Sequence, residues 1–195
     1  MAAPKLNQKY TYADYLTWDD GKRWELIEGV PYEMVFGDIK NMSPAPSRKH
    51  QTISTSLFGL IFPHAKEKGC NMFTAPFDVR FSENDEDETV VQPDLSIFCD
   101  KRKLDDRGAH AAPDWIIEIL SPSTFQKDLH TKLLLYQKHA VPLYWIVDPE
   151  KETILVNKLD ETGKYGIPET YSLADKIGVD LFENMEVEVA KIFEE

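Results

Sequence analysis

A mixed α/β domain is what this chain predicts, on three observations. Short apolar runs of strand-forming residues alternate with two stretches of helical periodicity, and no longer period repeats along the chain. At 195 residues and 42% hydrophobic content, there is material for one substantial core and not comfortably for two. The expectation is one domain over residues 1–195.

The elements follow in order. Residues 12–18 read as a short helix capped by Thr11, because Tyr12, Tyr15 and Leu16 share a face; it is expected to pack as a lid. Residues 23–35 read as two strands turning at Glu28-Gly29, an N-terminal hairpin. Prolines and serines over 43–47 interrupt structure. Residues 50–68 then carry Ile53, Leu57, Leu60 and Ile61 at helical spacing until Gly69, with Pro63 expected to kink the helix or end it early. Strands over 77–81, 94–99 and 115–120 form a central sheet, the last two apolar enough to be buried on both faces. Ser121-Pro122-Ser123-Thr124 breaks the third strand. Leu129, Leu133, Leu134 and Tyr136 mark a helix that carries Lys132 and Lys138 and stops before Pro142. Residues 143–147 resume the sheet until Asp148-Pro149, and 153–159 form the hairpin partner.

A formal charge of −12 argues against a broad electrostatic grip on nucleic acid, so any phosphate partner must be held locally. Acidic blocks at 83–88 and 183–195 read as solvated segments. The first lacks the glycine and alternating acids of an EF-hand and fits a hairpin loop better. The compact basic segment Lys101-Arg102-Lys103, with Arg107 nearby, is either a solvated face or a contact for a DNA backbone. Cys70 and Cys99 form no C-x-x-C pair and no disulfide framework, which fits a reducing cytoplasm. The start Met1-Ala2-Ala3-Pro4-Lys5 leads into polar residues and no run is long enough to span a bilayer, so a soluble, cytoplasmic, untargeted protein with no membrane partner is expected.

G-x-S-x-G, G-x-x-x-x-G-K-[ST] and G-x-G-x-x-G are all missing, which leaves serine hydrolase, P-loop and dinucleotide chemistry without support. His64, His110, His130 and His139 lack the spacing of a zinc site. The informative feature is a pair of lone acids in apolar strands. Asp94 opens Gln92-Pro93-Asp94-Leu95-Ser96-Ile97-Phe98, and Glu118 sits inside Asp114-Trp115-Ile116-Ile117-Glu118-Ile119-Leu120. Pairing of the two strands would bring both carboxylates to one sheet edge as a divalent-metal site. Each residue also has a plainer explanation: Asp94 as a turn acid that starts a strand, Glu118 as half of a structural ion pair with Lys132, and Lys132 as an exposed helix lysine. Glu25, in the hairpin, and His50, at the start of the first long helix, are secondary candidates.

Taken together, Trp24-Glu25-Leu26-Ile27-Glu28-Gly29, the proline-rich turn before His50, Pro93-Asp94-Leu95, Pro113-Asp114 through Ser121-Pro122-Ser123, the stretch 128–132 and Tyr144-Trp145-Ile146-Val147-Asp148-Pro149 resemble the Uma-two family of restriction-endonuclease-like proteins. The resemblance spans roughly residues 10–192. It implies the PD-(D/E)XK nuclease fold, a mixed central sheet flanked by helices, and a Mg²⁺-dependent endonuclease acting on DNA, double-stranded in the first instance, with Mn²⁺ as a substitute. It also implies catalytic roles for Asp94, Glu118 and Lys132, with metal ligation by Asp94, Glu118 and the Ile119 carbonyl. Leu120 stands where the simplest form of that motif carries lysine, and Lys132 on the following helix is the substitute. Nucleases of this fold often dimerise, and Tyr144, Trp145 and the acidic C-terminal segment are candidates for such an interface. The competing expectation is a nuclease-fold module that binds nucleic acid or protein without cleaving, which the net charge and Leu120 favour.

Overall fold

Thr11 opens the first helix, α1 (Tyr12–Tyr15), with a reciprocal cap: its hydroxyl accepts the Asp14 N–H, and the Asp14 carboxylate accepts the Thr11 N–H. The computed structural model describes residues 4–5, 7–34, 46–121 and 127–194. Strands β1 (Trp24–Ile27) and β2 (Val30–Glu33) form the expected hairpin. Both of its turn residues, Glu28 and Gly29, take positive φ (50° and 78°), the two-residue geometry whose twist matches paired strands.

Helix α2 (Arg48–Lys68) starts at the Ser47 cap and ends at left-handed Gly69. Pro63 lies inside it and does not end it early, contrary to the expectation from sequence. The proline forfeits one backbone bond, and the apolar stripe on either side of it, Ile61 before and Ala65 after, is fully buried in one core. Strands β3 (Asn71–Thr74), β4 (Val79–Arg80), β5 (Val90–Val91) and β6 (Leu95–Phe98) follow, then a 3₁₀ turn (Lys101–Lys103), β7 (Leu104–Asp105), β8 (Gly108–Ala109) and β9 (Trp115–Ile119). A π-helical turn (Lys127–Lys132) runs directly into α3 (Leu133–Lys138). The chain then adds β10 (Leu143–Asp148), β11 (Thr153–Lys158), β12 (Glu169–Tyr171), β13 (Lys176–Gly178), β14 (Glu186–Glu188) and α4 (Ala190–Phe193).

The main sheet has the order β12-β11-β10-β9-β6-β3, and its β9–β10 pair is parallel because α3 supplies the crossover between them. A second six-stranded sheet, β2-β1-β5-β4-β8-β7, is built largely from two-residue strands. Alternation along the main sheet decides the layers. Trp115, Ile117 and Ile119 with Leu143, Trp145 and Val147 face α2 and the C-terminal segment, while Ile116, Leu120, Tyr144 and Ile146 face the second sheet and α3. Tyr12 of α1 covers the outer face of the second sheet with Leu26 and Val90.

Three expectations are corrected by this packing. Tyr144 and Trp145 are fully buried within the core, so neither is available to a subunit interface. The acidic C-terminal segment is not simply solvated, because Met185, Val187, Val189 and Ile192 alternate inward onto the core while Glu186 stays exposed. Cys70 and Cys99 are joined as a disulfide. The β3–β6 register pairs Asn71 with Phe98, so the next residues outward on the two strands are the two cysteines. Among the described residues, no helix is long and apolar enough to cross a membrane.

Candidate active site

The register of β6 against β9 places the two lone acids. Leu95 pairs with Ile117, so Asp94 and Glu118 are the next opposed positions, and the Ile119 N–H closes this end of the ladder by donating to Asp94 Oδ2 at 2.7 Å. Glu118 shares a strand face with Ile116 and Leu120 and therefore enters the layer between the sheets. Glu25 reaches the same layer from the opposite side, since its strand neighbour two residues on, Ile27, belongs to that core.

Lys132 and Tyr136 lie four residues apart at the junction of the π turn with α3, hence on one helical face. Lys132 Nζ stands 2.7 Å from Glu118 Oε1 and 2.9 Å from Glu25 Oε1, while the Tyr136 hydroxyl donates to Glu118 Oε1 at 2.7 Å. The Gln92 backbone N–H donates to Glu25 Oε1 at 2.9 Å. Glu25, Glu118 and Lys132 are 0%, 4% and 2% exposed, so this cluster is removed from water and its charges depend on one another. The exposed-lysine explanation of Lys132 is thereby excluded, and its ion pair with Glu118 is realised. A π turn ending at Lys132 shifts the helical register at this point.

Asp94 has a different setting. Its side chain is 15% exposed, and His50 Nε2, from the first turn of α2, lies 3.3 Å from Oδ2. Among the described residues Oδ1 makes no hydrogen bond. Asp94 and His50 open onto a cleft of about 620 Å³ that α2 lines with Gln51, Ser54, Thr55 and Phe58, and that Arg23 borders.

Behind the cleft, Gln92 joins several elements. Its Oε1 accepts from Arg23 Nη2 at 2.7 Å, and its Nε2 donates to Asp78 Oδ1 at 2.7 Å. The Tyr15 hydroxyl also donates to Asp78 Oδ1, at 3.2 Å. Burial pushes the Asp78 carboxyl up from its ordinary range and pushes the Tyr15 phenol up strongly. Helix α1 is thus a wedge behind Gln92, which in turn holds both Arg23 and Glu25. Arg23, Asp78, Gln92 and Tyr136 were given no role from sequence. A signal existed for two of them: Gln92 adjoins Pro93-Asp94, and Tyr136 is one helical turn beyond Lys132.

The basic segment is largely neutralised locally. Arg102 pairs with Asp100 at 2.8 Å, Lys103 with Asp114 at 3.2 Å and Arg107 with Asp85 at 3.1 Å. The loop holding the 83–88 acids is not wholly solvated either, since the Asp85 and Asp87 carbonyls accept the Ala13 and Tyr12 N–H groups. Among the described residues, no group of three or more His, Cys, Asp or Glu side chains is gathered to hold a metal ion. Magnesium needs no such cage: one or two carboxylates suffice, with waters and substrate oxygens completing the octahedron. The hard oxygen donors of Asp94 and Glu118, at opposed strand positions, fit that requirement.

Comparison with known proteins agrees with this architecture. A crystal structure of a "putative nuclease belonging to DUF820" from Anabaena variabilis superposes with a TM-score of 0.71 at 23% identity, covering 94% of this chain and 97% of that one, which shows a shared fold. "Uncharacterized protein slr1290" of Synechocystis is 29% identical over 135 residues, 68% of this chain and 63% of that relative, so the match spans less than two thirds of the relative's length. The model of the Uma2 family, described as "Putative restriction endonuclease", matches residues 12–190, and the chain belongs to that family.

Proposed function

We propose that the protein is a metal-dependent endonuclease that hydrolyses DNA phosphodiester bonds between Asp94, Glu118 and Lys132. The observation that carries this reading is the opposition of Asp94 and Glu118 across β6 and β9, with Lys132 Nζ 2.7 Å from the Glu118 carboxylate. Asp94 and Glu118 are the residues that would hold Mg²⁺ or Mn²⁺. Such an ion, when bound, would supply Lewis acidity to a phosphoryl oxygen and lower the pKa of water.

The chain's own groups supply positioning and charge. Asp94 lines the cleft while its Oδ2 accepts from the Ile119 N–H and lies 3.3 Å from His50 Nε2. Glu118 is held by Tyr136, and Lys132 is held by Glu118 and Glu25, so the ammonium is in place before substrate arrives. Negative charge that develops on the phosphate during attack is then stabilised by a cation already desolvated, which costs little reorganisation. Glu25 serves as the anchor that keeps Lys132 beside Glu118.

A second reading, a module that binds without cleaving, is favoured by one observation: Glu118 is engaged by both Lys132 and Tyr136. Incubation of supercoiled plasmid and of single-stranded DNA with Mg²⁺ or Mn²⁺ separates the two. The nuclease reading expects metal-dependent cleavage that falls at least about a hundredfold in Asp94→Asn and in Glu118→Gln. Cleavage by neither metal, or cleavage undiminished in both variants, gives the binding module precedence.

A further inference from the structure

We propose that the cleft along α2 takes a single unpaired DNA strand, with one base stacked on Phe58 and the adjoining phosphate on Arg23. This rests on the nuclease reading of the site at Asp94 and names its substrate class. Gln51, Ser54, Thr55 and Phe58 all line the cleft, and they recur at the spacing of one helical face. That face begins at His50, which touches Asp94, so the cleft is continuous with the acid. Phe58 lies eight residues further along α2, roughly 12 Å by helical rise. It is half-buried and stacks on Phe62 with ring centroids 4.9 Å apart, which fixes the ring rather than leaving it free to collapse.

The lining chooses between paired and unpaired DNA. An aromatic face within a cleft can be used only by a base whose own face is open, and in a duplex each base face is covered by its neighbours. Gln51, Ser54 and Thr55 add short neutral donors and acceptors suited to base edges and sugars. Among the described residues Arg23 is the one lining residue with a fixed positive charge, and the chain as a whole carries −12. A duplex gripped through many phosphates needs many cations; a strand held by stacking with one phosphate contact does not. Gln92 presents Arg23 to the cleft by accepting from its Nε and Nη2 at 3.3 and 2.7 Å.

The test is fluorescence anisotropy in EDTA, with fluorescein-labelled oligo-dT of about twelve nucleotides, the matching duplex, and the same strand carrying abasic sugars. These are sized to span the cleft. The strand is expected to bind at least about tenfold more tightly than the duplex and than the abasic strand. Phe58→Leu, which keeps apolar volume and removes the ring, should weaken strand binding about tenfold, and Phe58→Trp should restore it. Arg23→Gln should flatten the dependence of log affinity on log salt by about 0.7, the loss of one phosphate contact. Equal or tighter binding of duplex, equal binding of the abasic strand, or no binding of the strand overturns the inference; the abasic comparison decides it even if Phe58→Leu fails to fold. Plasmid cleavage by the wild type, with Glu118→Gln as the inactive control, is scored separately. Metal-dependent cleavage without base-dependent binding removes only the substrate class, and base-dependent binding without cleavage removes only the nuclease reading.

Discussion

Lys132 stands between two carboxylates that water barely reaches, and this makes it as important to the fold as to the proposed chemistry. Removing one member of a buried ion cluster costs about 3–5 kcal/mol, because the remaining charges keep their desolvation penalty. Lys132→Met is therefore expected to lower the unfolding free energy measured by urea denaturation by an amount in that range. The combined change Glu25→Gln, Glu118→Gln and Lys132→Met, which removes every charge together, should recover most of the loss. Asp78 offers a pH test. Burial raises its folded pKa above the ordinary 3.8, so the folded state holds the proton more tightly than the unfolded chain. The stability it contributes is full below the unfolded value and is lost as pH rises through the folded one. Asp78→Asn keeps an acceptor for Gln92 and Tyr15 and removes the titration. Denaturation between pH 4 and 7 should then show a smaller fall in stability with rising pH than in the wild type, and an unchanged slope would disprove the assignment.

At the level of elements, the second sheet is the part on which the site leans and the part least visible beforehand. The hairpin was legible because Glu28-Gly29 is a turn signal between apolar runs, and α1 because Thr11 is a cap before Tyr12, Tyr15 and Leu16 on one face. Strands β9 and β10 were legible as apolar runs with turn signals at their ends. By contrast β5, β7 and β8 are two residues each, too short for any periodicity to register, and β4, expected as a strand over 77–81 of the central sheet, pairs with β5 and β8 in the second sheet instead. Their existence depends on pairing, and one contact shows how tightly. Gly108 in β8 takes φ +126°, and a Cβ there would lie 2.3 Å from the Asp78 carbonyl oxygen, the same oxygen that accepts the Ala109 N–H. Gly108→Ala should cost at least about 1–3 kcal/mol and loosen the Asp78–Gln92 contact with it. A thermal melt within a degree of the wild type would show that this edge is dispensable.

Over the whole molecule, two sheets whose strands alternate along the chain from β3 to β9 close on one another, and the Glu25–Glu118–Lys132 cluster lies in the layer they share. Asp94 and Glu118 stand out as candidates in the sequence because a lone charge within an apolar run is costly and asks for a partner, and Lys132 because the family resemblance puts the displaced lysine there. Arg23, Asp78 and Tyr15 could not, since nothing local links residues that only strand pairing assembles. The Cys70–Cys99 pairing was hidden for the same reason, being a consequence of the β3–β6 register. Stability and cleavage are separable in this arrangement, and that separation gives the most direct measurement. Single-turnover cleavage of DNA in Mg²⁺ should be compared between the wild type and the Glu25→Gln, Glu118→Gln, Lys132→Met protein after denaturation has shown the two to be similarly stable. Cleavage by the wild type and none by the equally folded variant is the predicted result; cleavage at the same rate by both would contradict a nuclease centre at these residues.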